Sequence, residues 1–199
     1  MMTVITSDSR NRMIQSAALL FREHGYSGTG FRDVIEHSGA PRGSIYHHFP
    51  GGKEQLAADT VEWAAAVIER RLERAAQNGD PLAALGIFVD AWREILEDSN
   101  FRAGCPIVAV AAEAEAGAVA TAAAAAAFAR WQDVIARTLL DAGVGRTDAR
   151  RLATLVVASI EGAILLCRVR HDIRPLRDVH RALEASLRTA ISWHGRSVE

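Results

Sequence analysis

The stretch Gly39-Ala40-Pro41-Arg42-Gly43-Ser44-Ile45-Tyr46-His47-His48-Phe49-Pro50-Gly51-Gly52-Lys53 sets helix-breaking residues on both sides of a short polar and aromatic run. Just before it, Phe31, Val34 and Ile35 recur at helical spacing. They predict a short helix from about Gly30 to Ser38, with Thr29 as its N-cap and Asp33 near its positive end. Gly39 ends that helix, and a third helix is expected from Arg42 to about Phe49. A short bracing helix, a break and a second short helix make a helix-turn-helix candidate. Such a pair needs one helix against the phosphate backbone and another, thin and exposed, in the major groove.

The side chains of the second short helix suit that task. Arg42 can reach guanine or a phosphate, Ser44 can donate or accept, Tyr46 can contact a phosphate or a thymine methyl, and His47 can donate to a phosphate. Ile45 is expected to point inward. Glycine at 43 permits close approach to a neighbouring helix or to the duplex, at some cost in helix propensity. Lys53, at the start of the next helix, and Thr29, at the start of the bracing one, add phosphate-binding chemistry at helix N-termini. Each residue also has a plainer reading: solvated charge for Arg42 and Lys53, a half-buried core ring for Tyr46, surface chance for the histidine pair.

The rest of the chain reads as helix. It holds 199 residues with only five prolines, is dense in Ala, Leu, Glu and Arg, and has no period-two run long enough for a sheet. The fold class is therefore all-α, about nine helices. The remaining ones are expected over residues 8–24, 53–77 and 81–98, then as a short helix ending near Glu115. A nearly pure alanine helix from Ala118 towards Gly143 follows, and two last helices at about 147–170 and 175–194. Leu155 and Ile160 on the first of this last pair, and Leu176, Val179, Leu183 and Leu187 on the second, leave apolar surface that needs a cover. A four-helix seam between two copies is the economical answer. The division expected is residues 1–52 as the DNA-binding domain and 53–199 as a larger ligand-binding and dimerisation domain.

Composition excludes several classes. Cys105 and Cys167 stand in unlike contexts without a second ligand pair, so neither a metal site nor a disulfide framework is expected, and a reducing cytoplasm is the expected home. The N-terminus lacks the apolar core of a signal peptide. The run from Leu152 to Cys167 is interrupted by Glu161 and is read as buried protein, not membrane. Net charge is -1, which says little, because DNA binding needs a local patch and not a basic total. No cofactor is implied. Cys105 has no evident His partner, Ser44 lies in no nucleophile-elbow pattern, and His47-His48 offers no third ligand, so no catalytic residue is assigned.

From Asn11 to Leu56 the chain resembles the N-terminal DNA-binding domain of TetR-family transcriptional regulators. The resemblance is carried by Phe21, Gly25, the Thr29 region, Asp33-Val34-Ile35, Gly39, Gly43-Ser44-Ile45-Tyr46, Phe49 and Lys53-Glu54. It implies an all-helical homodimeric repressor that binds a palindromic double-stranded DNA operator and is released by a small molecule. By the same resemblance Arg42, Ser44, Tyr46 and His47 face DNA, and Lys53 and Thr29 contact phosphate. Two departures stand out: Pro41 where many members have Ser or Thr, and a turn before Lys53-Glu54 that is one residue longer than usual. That turn, with Cys105-Pro106-Ile107 and the Ala-rich acidic segment after it, resembles the LmrA and YxaF branch, whose members resemble repressors of drug-resistance and efflux genes.

The family resemblance further suggests an effector site among the middle helices, with Trp63, Phe88, Trp92, Phe128, Trp131 and Ile135 as an apolar, aromatic lining. Asp90, Glu94, Glu113 and Glu115 can orient a cationic ligand or form a solvated face. The expected mechanism is displacement of the long fourth helix by ligand, with a change in the separation of the two reading heads. The competing classes are a dimeric helical scaffold, or an enzyme, that uses the same fold without specific DNA binding.

Overall fold

The computed structural model describes residues 3–77 and 79–195. Among them there are nine α-helices and no strand, as the composition predicts. The helices are α1 (Thr3–His24), α2 (Phe31–Ser38), α3 (Ser44–His48), α4 (Gly52–Ala76), α5 (Pro81–Asp98), α6 (Pro106–Ala111), α7 (Gly117–Asp141), α8 (Arg146–Arg170) and α9 (Arg174–Gly195). The boundaries follow the sequence signals closely, except that α1 begins five residues before Asp8. The helix expected to reach Glu115 instead stops at Ala111, and a single 3-10 turn, Ala114–Ala116, stands apart from it.

Contacts group the chain into two compact units, and α4 and α7 each contribute to both. The first comprises the chain through Ala66 together with Cys105–Ala127. Its core is built from Met13, Ala17 and Phe21 of α1, Val34 of α2, Ile45 of α3, Leu56 and Val61 of α4, and Ile107 and Val110 of α6, all buried. Burial of each large apolar side chain contributes about 1.5–3 kcal/mol, which is how three helices of eight residues or fewer acquire fixed positions. α1 packs on α2 and α6. Arg10 of α1 pairs with Asp59 of α4, and its guanidinium lies over the Phe49 ring at 5.4 Å, so one side chain ties α1 to the end of α3 and to α4.

The N-cap of α2 is Gly30, not Thr29 as the sequence suggests. Asp33 reaches back to accept the Gly30 backbone N–H at 2.7 Å, which does the capping from inside the helix. Thr29 is buried, and its hydroxyl donates to the Gly25 carbonyl at 2.9 Å.

The second unit comprises Val67–Gly104 and Phe128–Glu199. α5 starts on a side-chain cap, Asp80 accepting from the Leu82 N–H at 2.8 Å, with Pro81 in the first turn. α8 and α9 pack on each other and both touch α5. Phe88 and Phe128 each meet Trp131 edge-on, with centroids at 6.0 and 5.7 Å. Ile160, Leu176, Leu183 and Leu187 are buried in this core. With 0–4% of their surface exposed, these four side chains fill the core of this unit. Of the set assigned to dimerisation, Leu155 lies on the surface and Val179 is half-buried.

α8 is long and apolar enough to cross a membrane by length and composition. It is not buried on all sides. Val156, Val157, Ile160, Ala163, Ile164 and Cys167 form the inner face, whereas Leu155, Leu165, Leu166 and Val169 are exposed, Val169 by 74%.

Candidate nucleic-acid interface

The elements around α3 sort its side chains into two sets. Ile45 and Phe49 are buried and anchor it, while Arg42, Tyr46 and His47 are exposed. Tyr46 is 69% exposed, too much for a core ring. It is nonetheless braced: Phe31 of α2 meets it edge-on at 5.5 Å, a geometry that favours one ring orientation. Arg42 and Tyr46 border a shallow hollow between α2 and α3, whose floor is Phe31 and Ile35 and whose other rim carries Arg32 and Glu36. The face thus presents two guanidinium groups, a phenol, a carboxylate and an apolar floor, the mixture needed to read base edges and thymine methyls. Phe31 and Ile35, which the sequence places on the apolar side of α2 with Val34, are only half-buried, and Arg32 carries no signal in the sequence for this face.

Ser44 is half-exposed, and its hydroxyl donates to the Pro41 carbonyl at 2.7 Å, so it stabilises the turn into α3. At Gly43 a Cβ would meet nothing within 4 Å. The neighbouring helix therefore does not require glycine there, and of the two reasons offered for it only approach to the duplex survives. His48 is turned partly inward against Phe49 and His47, and burial, followed by the charges of His47 and Arg10, pushes its pKa down.

Lys53 does not extend into solvent. Its Nζ lies 4.1 Å from the centre of the Tyr26 ring, and burial lowers its pKa against the opposing pull of Glu113 and Asp33. Tyr26 belongs to the turn between α1 and α2, and its backbone N–H and that of Ser27 donate to the two oxygens of Glu113 at 2.9 and 2.7 Å. Burial alone would push the Glu113 carboxyl up. The hydrogen bonds from Ser27 and Tyr26 and the charge of Lys53 outweigh it and hold the group below its ordinary range. Glu113 is thus committed to the backbone and not available to orient a cationic ligand. Asp90 and Glu94 are likewise engaged, by Arg93 and Arg71.

The aromatic set expected to line an effector site divides. Phe88 and Ile135 border a narrow apolar slot together with Leu72, Leu85, Val134 and Leu139. Trp92 and Trp131 are buried outside that lining, Phe128 is half-buried beside Trp131, and Trp63 belongs to the first unit. The slot holds about 20 Å³, room for roughly one water and far below the several hundred Å³ of a ligand pocket. No group of three or more potential metal ligands is found among the described residues.

Similarity to known proteins covers both ends of this arrangement. Residues 13–60 match the family described as bacterial regulatory proteins, tetR family, and residues 81–182 match the C-terminal domain of LmrA/YxaF-like transcriptional regulators. The chain belongs to the TetR family, in its LmrA/YxaF-like branch. An uncharacterized HTH-type transcriptional regulator of Mycobacterium tuberculosis is 46% identical to this TetR-family chain over 180 residues, covering 87% of it and 91% of that protein. The uncharacterized HTH-type regulator YxaF of Bacillus subtilis is 32% identical over 171 residues, covering 85% and 90%. The crystal structure of a regulatory protein TetR from Rhodobacter sphaeroides superposes with a TM-score of 0.81 at 26% identity, over 89% of this chain and 97% of that one. The protein is therefore a transcriptional regulator of the TetR family and not an enzyme.

Proposed function

We propose that this TetR-family regulator is a cytoplasmic homodimeric repressor that binds a palindromic operator and is released by a small apolar or aromatic effector. The observation that carries the DNA-reading half is α3 itself: Arg42, Tyr46 and His47 stand exposed on a helix whose Ile45 and Phe49 are buried. In the functional division proposed, residues 1–52 read DNA, with Arg42 and Tyr46 at base edges and Ser44 and His47 beside them. Arg32 joins this set from α2. Thr29 supports the phosphate-facing turn from behind, and Lys53 reaches a phosphate by leaving the Tyr26 ring.

Residues 53–199 carry the dimer and the effector. The exposed row Leu155, Leu165, Leu166 and Val169 on α8 is too apolar to face water in a stable monomer, and a second copy of the same row is the self-complementary cover. The slot beside Phe88 and Ile135 is the starting point of the effector site. Its walls include Leu72 of α4 and Val134 of α7, so enlarging it displaces long helices. A differential affinity of about 1.4 kcal/mol between the two states changes operator occupancy tenfold.

The test is selection of duplexes from a random pool, followed by band shifts of the enriched sequence at several salt concentrations. An inverted repeat with affinity falling steeply with salt is expected. Failure to enrich any sequence, with only salt-dependent binding to every duplex, would favour the scaffold reading.

A further inference from the structure

We infer that Glu113 and Glu54 form a two-carboxylate clasp that positions the α2–α3 reading pair for DNA. This role rests on the DNA-reading function proposed above. Both carboxylates lie in the first unit, and both accept backbone N–H groups from residues remote in the chain. Glu113 takes Tyr26 and Ser27, at sequence separations of 87 and 86; Glu54 takes Val119 at 2.7 Å and a separation of 65. These bonds share one short stretch. It begins at Glu113, passes through the 3-10 turn Ala114–Ala116 and ends in the first turn of α7 at Val119.

What the two bonds grip decides their meaning. Tyr26 and Ser27 form the turn immediately before α2. Glu54 lies in the first turn of α4, immediately after α3 and the Pro50-Gly51 turn. The reading pair is therefore bracketed at both of its ends, and each bracket is fastened to the same stretch, 113–119. Lys53 interlocks them: it neighbours Glu54 and its Nζ sits on the ring of Tyr26, whose N–H is held by Glu113.

Two glycines make room for the carboxylates. Gly25 has φ +79, and a Cβ on it would stand 2.7 Å from Glu113 Oε1; Gly117 has φ +84, and a Cβ on it would stand 2.3 Å from Glu54 Oε1. Each position combines a backbone conformation that favours glycine with a close approach of the carboxylate, which a Cβ would push out of its present place. Hydrogen bonds from N–H groups to an ionised carboxylate are stronger than neutral ones, and two at once on Glu113 fix orientation as well as distance. Movement of the 113–119 stretch is thereby passed to both ends of the reading pair.

The test uses the full-length protein, the duplex enriched by selection and a scrambled duplex of the same composition. E113A and E54A are expected to lower affinity for the enriched duplex by about tenfold, the order of effect of losing charge-assisted hydrogen bonds. Affinity for the scrambled duplex and its salt dependence should stay at wild-type values, because neither carboxylate is assigned a phosphate. E113Q, which keeps one acceptor oxygen, should lose less than E113A. Amide exchange at Tyr26 and Ser27 should accelerate in E113A and at Val119 in E54A, with exchange in α8 unchanged. An unchanged ratio of enriched to scrambled affinity in both alanine variants would overturn the clasp while leaving the regulator reading intact. Equal losses on both duplexes would do the same, since they mark a charge or folding effect. If E113A fails to fold, E113Q and E54A carry the comparison, and wild-type ratios in both overturn it. A wild-type protein that enriches no sequence removes the proposed DNA-reading function and this role together.

Discussion

At the level of single residues, the reading face depends on what stands behind it. Tyr46 is exposed because the residue before it, Ile45, has no exposed surface at all, and it is oriented because Phe31 meets its ring. Phe31→Ala should therefore weaken enriched-duplex binding several-fold while Tyr46 itself is unchanged, on the order of the 0.5–1.5 kcal/mol of an aromatic pair. Arg42→Ala should cost about 1–3 kcal/mol in band shifts if the guanidinium holds a guanine, and should relax selection at one position of each half-site. Glu113 predicts a pH effect. Its folded-state pKa lies below the ordinary 4.5, so the bonds it accepts are complete above that value and are lost as pH falls through the folded one. Exchange of the Tyr26 and Ser27 amides, relative to their intrinsic rates, should step up in that acid range, and E113Q should show no step. That Ile45 points inward was legible from spacing, whereas Tyr46 stood between an outward role and a half-buried core ring until its exposure was seen. The work of Thr29 and Glu113 was not legible. A threonine before a helix looks the same whether it caps or bonds backward to Gly25. A glutamate beside Glu115 looks solvated until an amide 87 residues away is placed against it.

At the level of elements, periodicity, breaker residues and helix propensity together located the helices of the described residues but did not say which face meets what. On α8 the inner and outer rows are both apolar, so the sequence reads as a helix buried all round; only the packing of α5 and α9 separates Ile160 and Ile164 from Leu165 and Val169. The same ambiguity attends Leu176, Leu183 and Leu187, because a core row and an interface row on an amphipathic helix share one spacing. The break between α6 and the 3-10 turn had no breaker residue to announce it: Ala111 to Ala116 is good helix-forming sequence, and Glu113 is extended because its carboxylate is drawn to the α1–α2 turn. The slot beside α5 and α7 is set by shape and lay outside the reach of pattern. Leu139, fully buried on its wall, provides a test. Leu139→Ala should lower stability by about 2–5 kcal/mol in urea titrations and leave a void large enough for a small aromatic hydrocarbon to recover part of the loss.

For the molecule as a whole, the exposed row on α8 separates association from folding. Leu165→Glu with Leu166→Glu should give a monomer at micromolar concentration by light scattering, with helical content and urea midpoint close to those expected for the undimerised chain. Ile160→Glu, which places an unpaired charge in the core, should instead unfold it. Operator binding should fall in the first case because two half-sites are no longer read together. The size of the apolar slot has one more consequence. On the effector role proposed for it, a ligand of ordinary dimensions occupies it only in the fraction of molecules whose slot has already widened, and its measured affinity equals its true fit diminished by that fraction. Variants that prop the slot open would respond to less effector and would also sit idle on fewer operators in its absence. Sensitivity and basal silence are then set by a single quantity, the population of the widened slot.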